Sequence, residues 1–330
     1  MFRRVSVHGG SQDGSPVILQ LEDLHWADDE SLDFLNYLAE VNRDMPLLML
    51  AFTRPTLFER RADWPGTGRW HERIELHPLD KSSSRLLANE LLKKLPEVPA
   101  ALRELITGGA EGNPFYMEEL VRMLIDQGVI DTSGDPWRLN AERLLSTKVP
   151  STLTGVLQAR LDGLPADERL TLQEASVIGQ VFWDRALFAL DPQTEAALPR
   201  LVRRELALPR HDAEIDGLRE YAVKHALLYQ VTYGTVLRRR RKALHAKLAD
   251  WLAAQSDSDS ARAGDFLGMT ADHYAEAGDE ANAAEFHARA AEHADGGWRT
   301  RRRWRMFSRH CFCWTGPGTA RAKPRCTGGC

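Results

Sequence analysis

The sequence predicts a small α/β sheet that is followed by a long, predominantly helical region. Two short apolar runs, Val17–Leu21 and Pro46–Thr53, flank a segment whose apolar residues follow helical spacing. From Pro99 onward the spacing is almost wholly helical, and small residues dominate two segments near the end, Ala263–Ala277 and Glu280–Ala294. Because strand–helix–strand alternation with short connections is typical of parallel sheets, we expect the two apolar runs to pair in parallel.

Size and composition are those of an ordinary globular protein of two or three domains. The longest apolar run, Leu47–Phe52, is too short to span a bilayer, and no apolar segment follows the basic start as in a signal peptide. All four cysteines lie after residue 310, which excludes a disulfide framework in the first 295 residues. We therefore expect a cytoplasmic protein that does not bind membranes.

The first apolar run ends in two adjacent carboxylates, Glu22 and Asp23, and Asp28 is placed to cap the helix that follows. Acids at the carboxyl end of a buried parallel strand can hold Mg²⁺ and orient a water against a γ-phosphate. The phosphate-binding loop that accompanies such acids reads Gly-x-x-x-x-Gly-Lys-Ser/Thr, and no Gly-Lys pair occurs in the chain. Residues 1–15 are polar and rich in Gly and Ser, and we expect a disordered lead-in there.

The later helices and strands are predicted from residues that typically begin or end such elements. Arg54 and Pro55 end the second strand, Arg73–Leu76 is a candidate third strand, and Asp80 caps the next helix. A helix from Pro114 to Gln127 has proline at its first position and glycine just beyond its end. Further helices follow, with a β-hairpin predicted around residues 206–223.

With these motifs placed, the chain resembles the ATPase module of multidomain signal-transduction ATPases, the STAND class of AAA-type P-loop proteins. The runs Leu21–Leu32, Leu50–Arg60, Glu111–Leu120 and Arg219–His245 are similar to modules found behind the cyclase domains of bacterial adenylate/guanylate cyclases. The resemblance covers residues 16–295. It implies the half of a P-loop sheet that carries the Walker B strand, then an all-helical winged-helix region and a tetratricopeptide-like helix pair.

On this resemblance we divide the chain into six segments. They are a disordered lead-in (1–15), the C-terminal half of a P-loop ATPase domain (16–98), a helical lid or linker (99–149), a winged-helix-like domain (150–255), a tetratricopeptide-like helix pair (261–295) and a disordered basic tail (296–330).

The resemblance also implies roles for six residues and two cofactors, ATP and Mg²⁺. Glu22 corresponds to the metal-binding acid and Asp23 to the catalytic acid that polarises water. Cofactor-binding positions are Arg54, which ends the strand where a γ-phosphate is sensed, and the linker motif Gly112, Asn113 and Pro114. Gln20, which interrupts the apolar strand, and the acid order Glu-Asp are the two departures from the family pattern.

We therefore expect a truncated regulatory ATPase module, with neither a Walker A loop nor a cyclase domain of its own. Whether the chain is itself an enzyme stays open. The expected partners are an upstream P-loop or cyclase domain of an intact homologue and proteins bound through the helical repeats. The alternatives are a non-enzymatic helical scaffold and a winged-helix transcription regulator.

Nucleic acid is not an expected partner of the folded part. The basic run Arg238–Lys242 is flanked by apolar residues that continue a helical period, which is typical of a solvated helix face. The tail after residue 295 has nine Arg or Lys and no acid. A nucleic-acid-binding arm, a zinc site at Cys311, Cys313, Cys326 and Cys330, and a shifted reading frame are the three interpretations of this tail, and its composition favours the last.

Overall fold

The computed structural model describes residues 4–8, 16–66, 71–210, 218–256 and 263–299. Its secondary structure is mostly helical (60%) and includes three small sheets. The chain divides into two compact units, residues 1–76 and 77–330, and each unit has a hydrophobic core of its own. Among the described residues, no helix combines the length and the apolar character that crossing a membrane requires.

The first unit contains a three-stranded sheet and two helices. Its strands are β1 (Arg4–His8), β2 (Val17–Glu22) and β3 (Leu47–Ala51), and its helices are α1 (Asp29–Val41) and α2 (Thr56–Arg60). The strand order is β1-β2-β3, with β2 and β3 parallel. The predicted parallel pair is therefore confirmed.

Strand β1 corrects the prediction that residues 1–15 form a disordered lead-in. It pairs antiparallel with β2 from Arg4 opposite Glu22 to His8 opposite Ile18, so the sheet is mixed rather than parallel. A run of five residues is too short for its alternation to stand out in a polar, Gly-rich segment, and its backbone pairing was not visible in the sequence. The remaining residues of the lead-in lie outside the described ranges.

Helix α1 begins where the sequence predicts, because the Asp28 carboxylate accepts a hydrogen bond from the backbone N–H of Ser31 at 2.7 Å. This bond also lowers the pKa of Asp28 below its usual value. Leu32 and Leu35 face the sheet, and each such buried leucine contributes about 1.5–3 kcal/mol of transfer free energy. The core of the unit comprises Leu21, Leu24, Ala27, Leu32, Leu35 and Leu57.

The third strand predicted at Arg73–Leu76 is wrong. The described segment from residue 71 to 80 has no regular structure, and the side chains of Ile74 and Leu76 are 76% and 86% exposed. A short alternating run forms a strand only beside a pairing partner, and within the described residues this segment pairs with none.

The second unit is built from twelve helices and five strands in its described part. The helices are α3 (Lys81–Leu91), α4 (Ala100–Gly108), α5 (Pro114–Asp126), α6 (Ala141–Ser146), α7 (Leu153–Asp162), α8 (Ala166–Ile178), α9 (Asp184–Leu190), α10 (Thr194–Arg203), α11 (Ala226–Thr235), α12 (Arg238–Ser256), α13 (Ala263–Ala277) and α14 (Glu280–Arg299). The strands are β4 (Ile130–Asp131), β5 (Arg138–Leu139), β6 (Val181–Trp183), β7 (Ala207–Pro209) and β8 (Glu220–Val223).

Two small antiparallel sheets lie among these helices, so the region predicted as all-helical also contains strands. Strands β4 and β5 pair with each other, and the second sheet has the order β6-β8-β7. The hairpin predicted around residues 206–223 is confirmed by the antiparallel pairing of β7 with β8. Helix α14 runs to Arg299, past the predicted boundary at residue 295, and the rest of the tail lies outside the described residues.

Three hydrophobic clusters hold the second unit together. One joins α3, α4 and α5, a larger one joins α7 to α13 with the β6-β8-β7 sheet, and the third packs α13 and α14 against α12. Tyr274 and Phe286 are in contact in the third cluster, with ring centroids 5.5 Å apart. The predicted helix pair thus buries its apolar face against the preceding helix.

Candidate functional site

The two acids Glu22 and Asp23 lie where β2 ends, beside the end of β3. The backbone N–H of Leu24 donates to the carbonyl of Phe52 at 3.0 Å, and the N–H of Phe52 donates to the carbonyl of Leu21 at 2.8 Å. These bonds hold the carboxyl ends of the two parallel strands together. Asp23 has a left-handed backbone (φ 57°, ψ 38°), a conformation that aspartate adopts more readily than most residues.

Gln20 has a structural reason for interrupting the apolar run. Its side-chain Nε2 donates a hydrogen bond to Oε1 of Glu22 at 2.9 Å. Residues two apart on a strand lie on the same face, so the amide is positioned to hold this carboxylate. Gln20 therefore orients Glu22.

Arg54 follows β3 and its side chain is exposed. Within the described residues its guanidinium makes no hydrogen bond or ion pair, and its carbonyl accepts a hydrogen bond from the N–H of Leu57 at the start of α2. Three other arginines nearby are engaged: Arg60 donates to the carbonyl of Ala27, Arg61 pairs with Asp33 at 2.6 Å, and the guanidinium of Arg73 lies 3.5 Å from the centroid of the Phe58 ring. Arg54 is thus the guanidinium of this group that remains available to an anion.

The acids fit the protein's share of a magnesium site. Mg²⁺ is usually held by one or two carboxylates together with phosphate oxygens and water. Glu22 and Asp23 supply carboxylates at one strand end, and no group of three or more metal-ligating side chains occurs among the described residues.

The motif Gly112-Asn113-Pro114 belongs to the second unit, whereas the acids belong to the first. A Cβ on Gly112 would lie 2.4 Å from the carbonyl oxygen of Leu79, and φ at Gly112 is +78°. Asn113 caps α5, its Oδ1 accepting from the N–H groups of Phe115 at 3.0 Å and Tyr116 at 3.3 Å. These residues build the start of α5, and two of the N–H groups predicted to face a nucleotide are already bonded.

A buried ion network that the sequence did not predict lies behind α5. Glu119 on α5 and Arg160 on α7 form a charge-assisted hydrogen bond, with side chains only 1% and 2% exposed. Arg160 also pairs with Asp126 at 3.0 Å, and Arg204 bridges Asp126 at 3.0 Å and Glu168 at 2.7 Å. The visible sign was a set of charged residues at positions where the helical period requires apolar ones, but their pairing over 34 to 78 positions is not readable from spacing.

His225, at the start of α11, faces this network. Its ring contacts Phe115 on α5, with centroids 4.2 Å apart, and its Nε2 lies 4.0 Å from Oε1 of Glu119. Burial lowers the pKa of His225 below its usual value, so the ring is neutral at pH 7. Lys224 beside it binds Glu118 at 3.1 Å; against the effect of burial, the hydrogen bonds from Arg122 and Lys224 lower the pKa of that carboxyl. The helix that carries the Gly112 motif is therefore tied to the junction between β8 and α11.

Comparison with known proteins gives one informative relative. No protein-family model matches the chain. A protein of Rhizobium meliloti (strain 1021), described as uncharacterized, is 27% identical over 247 residues, which cover 71% of this chain and 22% of that protein. The chain thus spans about a fifth of the length of this relative. The likeness supports a shared origin of the segment and assigns no activity.

Proposed function

We propose that this chain is the latter part of a regulatory ATPase module of the STAND class, related to those of bacterial adenylate/guanylate cyclases. The observation that carries the proposal is the parallel β2–β3 pair with Glu22 and Asp23 at its carboxyl end and Arg54 after the second strand. Glu22 would bind Mg²⁺, Asp23 would orient the attacking water, and Arg54 would contact the γ-phosphate of ATP. The phosphate-binding loop would come from another segment.

The exposed surface of β3 supports a partner of this kind. Strand β3 is the outer strand of the sheet as described, and Leu48, Leu50 and the adjoining Phe52 are 51%, 39% and 50% exposed. Sheets with parallel strands are normally covered on both faces. An upstream segment that adds a strand beside β3 and helices over these side chains would complete the sheet.

The order of elements after α7 supports the winged-helix assignment. Helix α8, strand β6, helices α9 and α10, and the β7–β8 hairpin follow one another, and β8 lies between β6 and β7. The α13–α14 pair then packs on α12, as the first unit of a helical repeat would. Both assignments belong to the proposal and agree with the family's domain order.

The basic residues of this region do not favour a transcription regulator. Arg200 and Arg204, at the end of α10, bind Glu168, and Arg240 binds Glu174 at 2.8 Å. These guanidinium groups are engaged within the fold and are not directed at phosphates. The non-enzymatic scaffold is the stronger alternative, because the Gly112 motif has a structural role in starting α5.

The proposal is tested with a chimera of the Rhizobium meliloti relative in which this chain replaces the matching 247-residue segment. We expect the chimera to hydrolyse ATP with Mg²⁺, and Asp23→Asn to lower kcat by about 100-fold or more, the usual scale for a positioned proton acceptor. Glu59→Gln, on the exposed surface of α2, is the matched control and keeps the parent rate.

Hydrolysis that is equally fast in the Asp23→Asn, Glu22→Gln and Glu59→Gln chimeras would overturn the assignment of the acids. A relative that itself neither binds nor hydrolyses ATP would overturn the ATPase proposal and favour the scaffold.

A further inference from the structure

A polar cleft of about 240 Å³ opens in the second unit where α7, α8 and the end of α11 meet. Drug-sized ligands occupy pockets of roughly 300–1,000 Å³, so this cleft suits a smaller molecule. Its lining carries one cation, one carboxylate, two carboxamides, a hydroxyl and one apolar side chain: Arg169, Asp162, Gln158, Gln173, Thr235 and Leu161.

Arg169 is the unusual member of the lining. It is half-buried, and in the part of the chain that the structure describes its guanidinium makes no hydrogen bond or ion pair. Five other buried or half-buried arginines of this unit bind carboxylates, and two donate to carbonyl oxygens instead: the first group is Arg122, Arg160, Arg200, Arg204 and Arg240, the second Arg103 and Arg241. A guanidinium carries five N–H donors, and those of Arg169 meet no acceptor among the described residues, so Arg169 points to an anionic group that is not part of the described protein.

The rest of the lining offers acceptors that are held in place. Gln158 donates its Nε2 to Oδ1 of Asp162 at 3.0 Å, and Gln173 donates its Nε2 to Oγ1 of Thr235 at 2.9 Å. The Thr235 hydroxyl in turn donates to the carbonyl of Thr232 at 2.6 Å. One N–H of each amide is thereby used, and the two Oε1 atoms and Oδ2 of Asp162 accept no hydrogen bond from the described residues.

We propose that this cleft binds a free α-amino acid. The ligand carboxylate would pair with Arg169, and its ammonium group, which has three donors, would meet the three free oxygens of Asp162, Gln158 and Gln173. Arg169 and Asp162 line one cleft without an ion pair between them in the described structure, which is the arrangement that a zwitterion complements. A simple anion such as phosphate would meet the repulsion of Asp162. This site uses none of the residues of the proposed ATPase.

Calorimetric titration of the whole chain with the standard L-α-amino acids, each added singly, tests the proposal. We expect at least one of them to bind, and its N-acetyl derivative and its α-amide to bind at least about tenfold more weakly, because each lacks one charged hydrogen-bonded group. Arg169→Gln should lower the affinity for the free amino acid by about tenfold or more, and should lower the affinity for the α-amide very little. Asp162→Asn should likewise lower the affinity for the free amino acid, and should lower the affinity for the N-acetyl derivative, which lacks the ammonium group, very little.

Arg185→Gln, an exposed arginine on α9 that does not line the cleft, is the matched control and keeps the parent affinity. The proposal is overturned if no amino acid binds to folded chain, or if binding survives Arg169→Gln unchanged. Binding of inorganic phosphate that is lost in Arg169→Gln and strengthened in Asp162→Asn would identify an anion site instead, and would also overturn it.

Discussion

Two oppositely charged residues of the second unit are buried together, and each is stabilised by the other. The carboxylate of Glu119 and the guanidinium of Arg160 are almost completely buried, so Glu119 depends on Arg160 for its hydrogen bond, and Asp126 is the other carboxylate that Arg160 binds in the described structure. Removing one member of such a pair is costly, because the other is left charged in a medium of low dielectric constant. The role of the pair is therefore best measured by removing first one partner and then both.

Glu119→Ala should lower the free energy of unfolding by about 3 kcal/mol or more, because Arg160 keeps only Asp126 as a carboxylate partner. The double variant Glu119→Leu, Arg160→Met should recover a large part of this loss, since no unpaired charge remains. Urea unfolding measures both values. Glu104→Ala, at an exposed position on α4, should change the free energy by less than about 0.5 kcal/mol. A loss below 1 kcal/mol in Glu119→Ala would contradict this account of the network.

Gly112 is fixed by the close approach of another backbone segment. Gly112→Ala places a Cβ 2.4 Å from the carbonyl oxygen of Leu79 and strains a residue with φ of +78°, so we expect a loss of about 2 kcal/mol or more in the free energy of unfolding. Gly108→Ala is the matched control on α4, where a Cβ meets no atom within 4 Å and alanine favours the helix. Thermal and urea unfolding should therefore separate the two variants. Equal stability of both would show that the segment at Leu79 moves away freely.

At the level of elements, helices with a capping residue were predicted well. Helices α1, α3 and α5 begin directly after Asp28, Asp80 and Asn113, whose side chains accept hydrogen bonds from the first turn. Capping is a local interaction of a few residues, so the sequence displays it. Strand β1 and the hairpin β4–β5 were not predicted, because a short strand is defined by a partner elsewhere in the chain.

The candidate site residues also fall into two groups: those that a local sequence pattern predicted, and those that only the fold brings together. The position of Glu22 and Asp23 at a strand end followed from a local pattern, and the structure has the predicted parallel neighbour beside them. The contact of His225 with Phe115 joins residues more than a hundred positions apart and has no local pattern. Arg169 and Asp162 in the cleft were likewise indistinguishable from surface charges until the helices were placed.

A pair of histidines joins α12 to α13 and predicts how stability depends on pH. Nδ1 of His245 lies 2.8 Å from Nδ1 of His273, and the hydroxyl of Tyr233 lies 3.2 Å from Nε2 of His245. Burial lowers the pKa of His245 to about 4 and that of His273 to about 3, and the Arg241 guanidinium adds to the shift of His245. Both rings are therefore neutral in the folded protein at pH 7.

Because an unfolded histidine has a pKa of about 6.5, the unfolded chain binds more protons than the folded chain between pH 6.5 and about 4. The two neutral histidines make their full contribution to the free energy of unfolding above pH 6.5. As the pH is lowered, the free energy of unfolding should fall by up to about 1.4 kcal/mol per pH unit for each histidine. Urea unfolding between pH 7 and 4.5 measures this slope. His273→Gln should reduce the slope, and His287→Gln, at an exposed position on α14, should leave it unchanged. An unaltered slope in His273→Gln would contradict the assignment.

At the level of the whole molecule, the two units differ in how well they bury their apolar residues. Among the described residues, the core of the first unit comprises six buried residues, whereas the larger core of the second unit draws on seven helices and a sheet. In the first unit, Phe34, Tyr37 and Val41 lie exposed along α1, and Leu48 and Leu50 are exposed on β3. Exposed apolar groups beside an outer strand promote association, because the strand's free N–H and C=O groups can pair with another chain.

We therefore expect the purified chain to self-associate through β3, and the double variant Leu48→Lys, Leu50→Lys to prevent this. Lysine on an outer strand opposes pairing by charge repulsion and by the cost of burying the ammonium group. Light scattering after size-exclusion chromatography, over a range of concentrations, measures the mass. Leu237→Lys, at a 77% exposed leucine of the second unit, is the control and should associate like the parent chain. Association that persists in the double variant but is lost in Leu237→Lys would place the contact in the second unit. A parent chain that stays monomeric would show that the β3 surface is stable in water, which would weaken the case that an upstream segment covers it.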